Sequence, residues 1–334
     1  MTALTALKNT NNDPLLPVER CRPAEGRGSG LRVIFAGPGG LRVGWRLLIF
    51  VVLLAAMLGS LMLITHGGMR GVREDHAKLA QTAPTALLLG GSEAIAFLIL
   101  CVATLIMGRI ERRKFGEYGL PLRQALGKDF RIGALTGFLT ISGTLAAMYV
   151  LGGFRITGLA LHGAAILSSL GGWAVAFLLV GLFEEFVCRG YVQYTLASAI
   201  GFWPAALVFS GLFGLGHAFN PNENAVGALA TVLFALLLCL FLRRTGNLWC
   251  AVGFHAAYDW GQTLYGVPDS GMLPYHNVFS SAFSGPRWLT GGIVGPEASV
   301  LTPIALLIVA LGFSYFHRQN RYLFQNPNKG DKNL

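Results

Sequence analysis

The stretch WAVAFLLVGLFEEFVCRGYVQYTLA, residues 173–197, decides how this chain folds. At about 1.5 Å of rise per residue it is long enough, as a helix, to cross a hydrocarbon core of roughly 30 Å. Glu184, Glu185 and Arg189 stand inside it, and burying two carboxylates and a guanidinium in lipid costs on the order of several kcal/mol. Charge retained at that cost marks a place of chemistry or conduction. The segment is therefore read as a membrane helix with a polar interior face.

Working outward, seven more apolar runs accompany it: 47–65, 83–107, 132–152, 202–219, 225–242, 247–265 and 300–316. The chain is 53% hydrophobic and only 13% charged, with a mean hydropathy of +0.56, outside the range of ordinary soluble domains. The expected fold class is all-α: a polytopic membrane bundle of about eight transmembrane helices. Helices satisfy their backbone hydrogen bonds internally, and the alternation of barrel strands is absent. The formal charge of +10 invites a nucleic-acid reading, which the placement of the basic residues removes. With both termini cytoplasmic, 21 of the 26 Lys and Arg fall on the cytoplasmic side, leaving Arg70, Arg73, Lys78, Arg155 and Arg287 outside. That is the positive-inside asymmetry of an N-in, C-in protein, and no nucleic acid partner is expected.

Residues 1–46, rich in Pro, Gly and basic side chains, read as a flexible cytoplasmic arm. They lack the apolar core and cleavage site of a secretory signal, so the first helix is expected to remain as an anchor. Gly37-Pro38-Gly39-Gly40 is a turn, with no GK[ST] to make it a phosphate loop. Residues 47–108 hold two helices, 109–265 a helical core, 266–299 an external loop read as tolerant of insertion, and 300–334 the last helix and a cytoplasmic tail. The basic, partly apolar stretch 111–131 reads as a connector lying on anionic headgroups. Cys21, Cys101, Cys188, Cys239 and Cys250 form no CxxC pair, and no disulfide is expected.

Helical geometry separates the two glutamates, since neighbours point about 100° apart. Glu185 and Arg189 are i and i+4, acid before base, and can pair on one face. Glu184 is left to face a cavity. Two further polar sets lie in other apolar runs, Phe213-Gly214-Leu215-Gly216-His217 and His255-Ala256-Ala257-Tyr258-Asp259. Helical rise puts Glu184 about 20 Å from the cytoplasmic end of its segment, His217 about 22 Å along its own and His255 about 12 Å along its own, all at middle depths. Phe213 is one turn before His217, placed either to pack beside the imidazole or to fill the core. Asp259 is one turn after His255 and can hold the ring through a carboxylate to N–H bond, fixing the tautomer.

No serine or cysteine sits in a nucleophile elbow and no HExxH pair occurs. Cys188 shares a face with Glu184, a poor setting for a thiolate. A carboxylate base with an imidazole can hold and deprotonate water, while a second imidazole donates to a developing oxyanion: amide hydrolysis by activated water. Glu184, His217 and His255 could equally ligate a divalent metal such as zinc. The residues leave both versions open.

EExxxR at Glu184–Arg189, FxxxH at Phe213–His217 and HxxxD at His255–Asp259, in that order on separate apolar runs, resemble the CPBP family of intramembrane proteases, also called the Abi or CAAX prenyl protease 2 family. The resemblance covers roughly residues 110–265, and Phe115-Gly116-Glu117-Tyr118-Gly119-Leu120 is similar to the short element preceding the family's core helices. It implies a helical membrane endopeptidase of metallo or glutamate type, with Glu184 and His217 activating water, and His255 and the residue at Asp259 stabilising the oxyanion. That last position is Asn in the eukaryotic prenyl-protein enzymes. An ionised Asp259 cannot donate, so its expected role is to orient His255.

The function expected is hydrolysis of peptide bonds near the membrane, of CAAX type or in bacteriocin or peptide processing, in a bacterial cytoplasmic membrane. The partners expected are a peptide or membrane-protein substrate and lipid. Two other classes compete: a non-catalytic membrane scaffold or regulator, and a proton-coupled transporter using Glu93, Glu184 and the histidines as a relay, which requires Glu93 to line the cavity of Glu184.

Overall fold

The computed structural model describes residues 36–37, 40–66, 86–220, 223–271 and 276–322, so most of the 1–46 arm and the end of the C-terminal tail lie outside the described residues. A two-residue antiparallel pair, β1 (Ala36–Gly37) with β2 (Gly40–Leu41), precedes the helices. Then come α1 (Val43–His66), α2 (Ala86–Glu111), α3 (Lys128–Val150), α4 (Ala164–Arg189), α5 (Tyr191–Ile200), α6 (Phe202–His217), α7 (Ala225–Thr245), α8 (Trp249–Tyr265), the short α9 (Arg287–Thr290) and α10 (Leu301–Phe316). Single 3-10 turns lie at Phe115–Tyr118, Leu122–Gln124 and Pro296–Ala298. The protein is an all-α integral membrane protein. By length and composition α1, α2, α3, the Ala164–Ile200 stretch that holds α4 and α5, and α7 suffice to cross a bilayer, while α6, α8 and α10 are present as helices of 16, 17 and 16 residues.

The decisive stretch is two helices. It starts at Ala164 and breaks at Gly190, whose φ of −80° and ψ of −120° turn the chain into α5. A Cβ on Gly190 would lie 2.4 Å from the Phe186 carbonyl oxygen. Glu184 is therefore about 7.5 Å, not 20 Å, from the end of its helix.

Helix α8 is central and almost entirely buried. It meets α3 at backbone contact distance because glycines face each other. A Cβ on Gly133 would come within 2.0 Å of the Cys250 carbonyl oxygen, on Gly137 within 2.2 Å of that of Phe254, and on Gly253 within 2.2 Å of that of Phe130. Such small-residue seams let membrane helices gain dispersion contacts where lipid supplies no hydrophobic drive. The start of α8 is fixed by the 111–131 connector: Asn247 Nδ2 donates to Asp129 Oδ2 at 2.7 Å and Gln124 Oε1 at 2.8 Å, and Leu248 N donates to the Gly119 carbonyl at 2.7 Å. Tyr118 and Leu120 are buried in the core while Leu122 and Leu126 are exposed, so the connector is a packed element and not only a surface strip.

The 266–299 segment also departs from expectation. Instead of a passive insertion, its β4 (Phe279–Phe283) pairs antiparallel with β3 (Phe154–Leu159), Phe154 opposite Phe283, and its ends return to the bundle. Ser281 Oγ donates to the Tyr265 carbonyl at 2.5 Å, binding the sheet to the end of α8.

Candidate functional site

Helices α1, α2, α4, α6, α7 and α8 enclose a cavity of about 690 Å³ with largely apolar walls, to which Phe50, Phe177, Phe209 and Phe234 contribute. Glu184, His217, His255 and Asp259 all line it. The 100° offset between the adjacent glutamates is realised. Glu184 is 26% exposed, on the cavity wall, whereas Glu185 is 0% exposed, behind it.

Glu185 Oε2 accepts from Arg189 Nη1 at 2.8 Å, the expected i to i+4 pair. Its other oxygen reaches a partner that helical spacing cannot reveal: Oε1 lies 2.8 Å from Nδ1 of His255 on α8. A carboxylate only accepts, so Nδ1 carries a proton, and Nε2, turned toward the cavity, also faces carboxylates and carries one too, so the ring is an imidazolium. There Nε2 lies 3.4 Å from Asp259 Oδ2 and 3.7 Å from Glu184 Oε2. The orienting bond expected from Asp259 is thus made chiefly by Glu185, and Asp259 stands on the working side of the ring. Arg189, 1% exposed, is further balanced by the face of Phe213, 5.1 Å from its guanidinium carbon.

His217 closes α6. Its Nδ1 lies 3.0 Å from the Phe213 carbonyl, an acceptor only, so Nδ1 donates and Nε2 keeps its lone pair. Phe213 packs against the His217 ring at 4.4 Å between centroids and lies 6.4 Å, edge-on, from His255. This one phenylalanine touches Arg189 and both imidazoles, more than either packing role expected from spacing.

The donor atoms of Glu184, His217 and His255 do not converge at metal-ligand spacing. Among the described residues, the group whose ligand atoms all lie within 4.8 Å of one another is Asp259, Asp269 and Glu297. The arrangement does not fit a metal held by Glu184, His217 and His255, and no chemical step is assigned to one. Asp269, Ser270 and Glu297 line the cavity from the 266–299 segment, where Gly, Ser and Pro content masked them. Glu93 on α2 lines it too, near enough to Glu184 for their charges to interact, and its Oε2 is buried without a hydrogen-bond partner.

Residues 166–261 match a family described as Rce1-like, type II CAAX prenyl endopeptidase Rce1-like. The matched segment runs from α4 into α8 and contains all three motifs. Among curated proteins, none matches the chain.

Proposed function

We propose that this chain is an intramembrane endopeptidase of the CAAX protease type that hydrolyses peptide bonds with a water activated by Glu184 and His217, a reading supported by the family match over residues 166–261. One observation carries the reading: a cavity-facing carboxylate shares an apolar chamber with an imidazole whose tautomer is set by the Phe213 carbonyl and an imidazolium flanked by the carboxylates of Glu185 and Asp259. In this scheme His217 Nε2 and Glu184 hold the water, and Glu184 takes its proton as the oxygen attacks the scissile carbonyl carbon. The carbonyl π pair moves onto oxygen, and His255 Nε2–H donates to that oxyanion. When the oxyanion reforms the carbonyl, the C–N bond breaks and the proton held by Glu184 passes to the leaving nitrogen. Asp259 accepts from Nε2–H between turnovers and keeps the ring aligned. Glu185 and Arg189 act behind the ring as positioning residues.

The apolar walls suit a substrate that enters from lipid, either a CAAX-type tail or a membrane-borne peptide. The N-in, C-in orientation then opens the chamber toward the cytoplasm of a bacterial membrane. Comparing the membrane peptidome of cells producing the parent or Glu184→Ala at equal level tests this. Processed tails are expected only with the parent; identical peptidomes would overturn the reading.

A second reading has one observation in its favour. Glu93 lines the same chamber as Glu184, as a proton relay requires. Proton-driven uptake by reconstituted protein that is lost in both Glu93→Gln and Glu184→Gln would favour a transporter.

A further inference from the structure

Asp259 at the far half of α8, Asp269 in the loop after it and Glu297 in the turn before α10 bring three carboxylates from separate pieces of chain to one spot. Among the described residues none of the three is paired with a Lys or Arg; the ion pair recorded for them is His255 with Asp259. Two buried polar side chains beside this spot have incomplete bonding. Gln262, 0% exposed, points its amide into the cluster, Nε2 lying 3.0 Å from Glu297 Oε1 and 3.3 Å from Asp269 Oδ1, yet its Oε1 has no partner. Tyr258, 1% exposed, lines the cavity within electrostatic reach of all three acids; its hydroxyl lies beside Thr302 without a hydrogen bond of good geometry.

We propose that this cluster is a binding site for a hard divalent cation, calcium by its donor set, which ties the 266–299 segment to α8. Two ligands on one ion with bonds of about 2.4 Å stand at most about 4.8 Å apart, the separation within which these carboxylate oxygens fall. All donors are oxygen. Three carboxylates, the Gln262 carbonyl after an amide flip, and Ser270, which already donates to Glu297, approach the six to eight oxygens calcium takes, with cavity water completing the shell. The ion neutralises acids that otherwise repel one another in a site of low dielectric. It joins α8 to the segments on either side of the β3–β4 sheet. The site requires no peptidase activity.

Thermal unfolding of the purified full chain in detergent, in EDTA and then with calcium or magnesium, tests the site together with luminescence of bound terbium, a calcium mimic that Tyr258 can sensitise. The parent is expected to show a saturable rise of about 3 °C or more with calcium, and terbium emission that calcium displaces. A larger response to magnesium than to calcium would overturn the calcium assignment. Glu297→Gln and Asp269→Asn should each weaken apparent affinity at least tenfold in both readouts. Either variant suffices if the other fails to fold. An unfolding temperature unchanged between EDTA and about 10 mM calcium or magnesium, above the weakest known calcium sites, would overturn the proposal. So would an equal response in the parent and every folded variant.

Discussion

Removing the charge of Glu185 should separate stability from turnover, because this one carboxylate serves two different partners. It is 0% exposed, accepts from Arg189 at 2.8 Å and meets His255 Nδ1 at 2.8 Å. Glu185→Leu leaves a guanidinium that is 1% exposed without its carboxylate partner, a loss of about 3–5 kcal/mol. Glu185→Gln keeps shape but offers one acceptor for two donors and no charge against Arg189, so it should also cost about 3–5 kcal/mol. The double change Glu185→Leu with Arg189→Met removes both charges and should recover most of the stability, since apolar replacement of a buried pair is often neutral. It should not recover hydrolysis, because His255 still lacks its anchor. Unfolding midpoints of the purified variants, read beside peptide cleavage at equal folded fraction, make the comparison. Full cleavage by the folded double variant would refute the positioning role of Glu185, and parental stability in Glu185→Leu would refute the buried-pair argument.

Three other outcomes follow from the geometry. Asp259→Asn should retain partial cleavage, since an amide oxygen still accepts from His255 Nε2, while Asp259→Leu should lose nearly all of it; equal cleavage by the Leu variant and the parent would make this residue packing only. Gly253→Ala should cost about 1–3 kcal/mol because its Cβ would meet the Phe130 carbonyl at 2.2 Å, whereas Gly143→Ala, with nothing within 4 Å, should be neutral; equal unfolding midpoints would contradict the seam between α3 and α8. Glu93→Gln should leave cleavage within a few-fold of the parent in a liposome assay, and a loss as deep as that of Glu184→Gln would show that Glu93 takes part in the chemistry.

The helices were legible because lipid demands long apolar runs, and outside the 173–197 run, whose helix spans Ala164–Arg189, their ends moved by only a few residues, as at Val43 and Leu301. The break at Gly190 was not, because residues 191–197 continue the apolar composition across the turn. Local spacing delivered the Glu185–Arg189 pair and the separation of Glu184 from Glu185, both properties of a single helix. It could not deliver the second bond of Glu185 to His255, which depends on how α4 meets α8. The GxxxG spacing of Gly133 and Gly137 was present in the chain, but hydropathy counts apolar residues without regard to size and passes over such a seam. Asp269 and Glu297 were hidden for a different reason. They sit in a Gly- and Pro-rich segment where composition suggests tolerance, and only the tertiary return of that segment brings them beside Asp259.

Hydrolysis by the purified protein in liposomes, parent against Glu184→Gln, bears most directly on the central claim. A membrane-anchored peptide with a CAAX-type tail, offered with and without its prenyl group, serves as substrate, and product masses locate the cut. Losing the general base should slow cleavage by about 10²–10⁴-fold while the variant keeps the parental unfolding midpoint. Cleavage at the parental rate by folded Glu184→Gln would contradict the account.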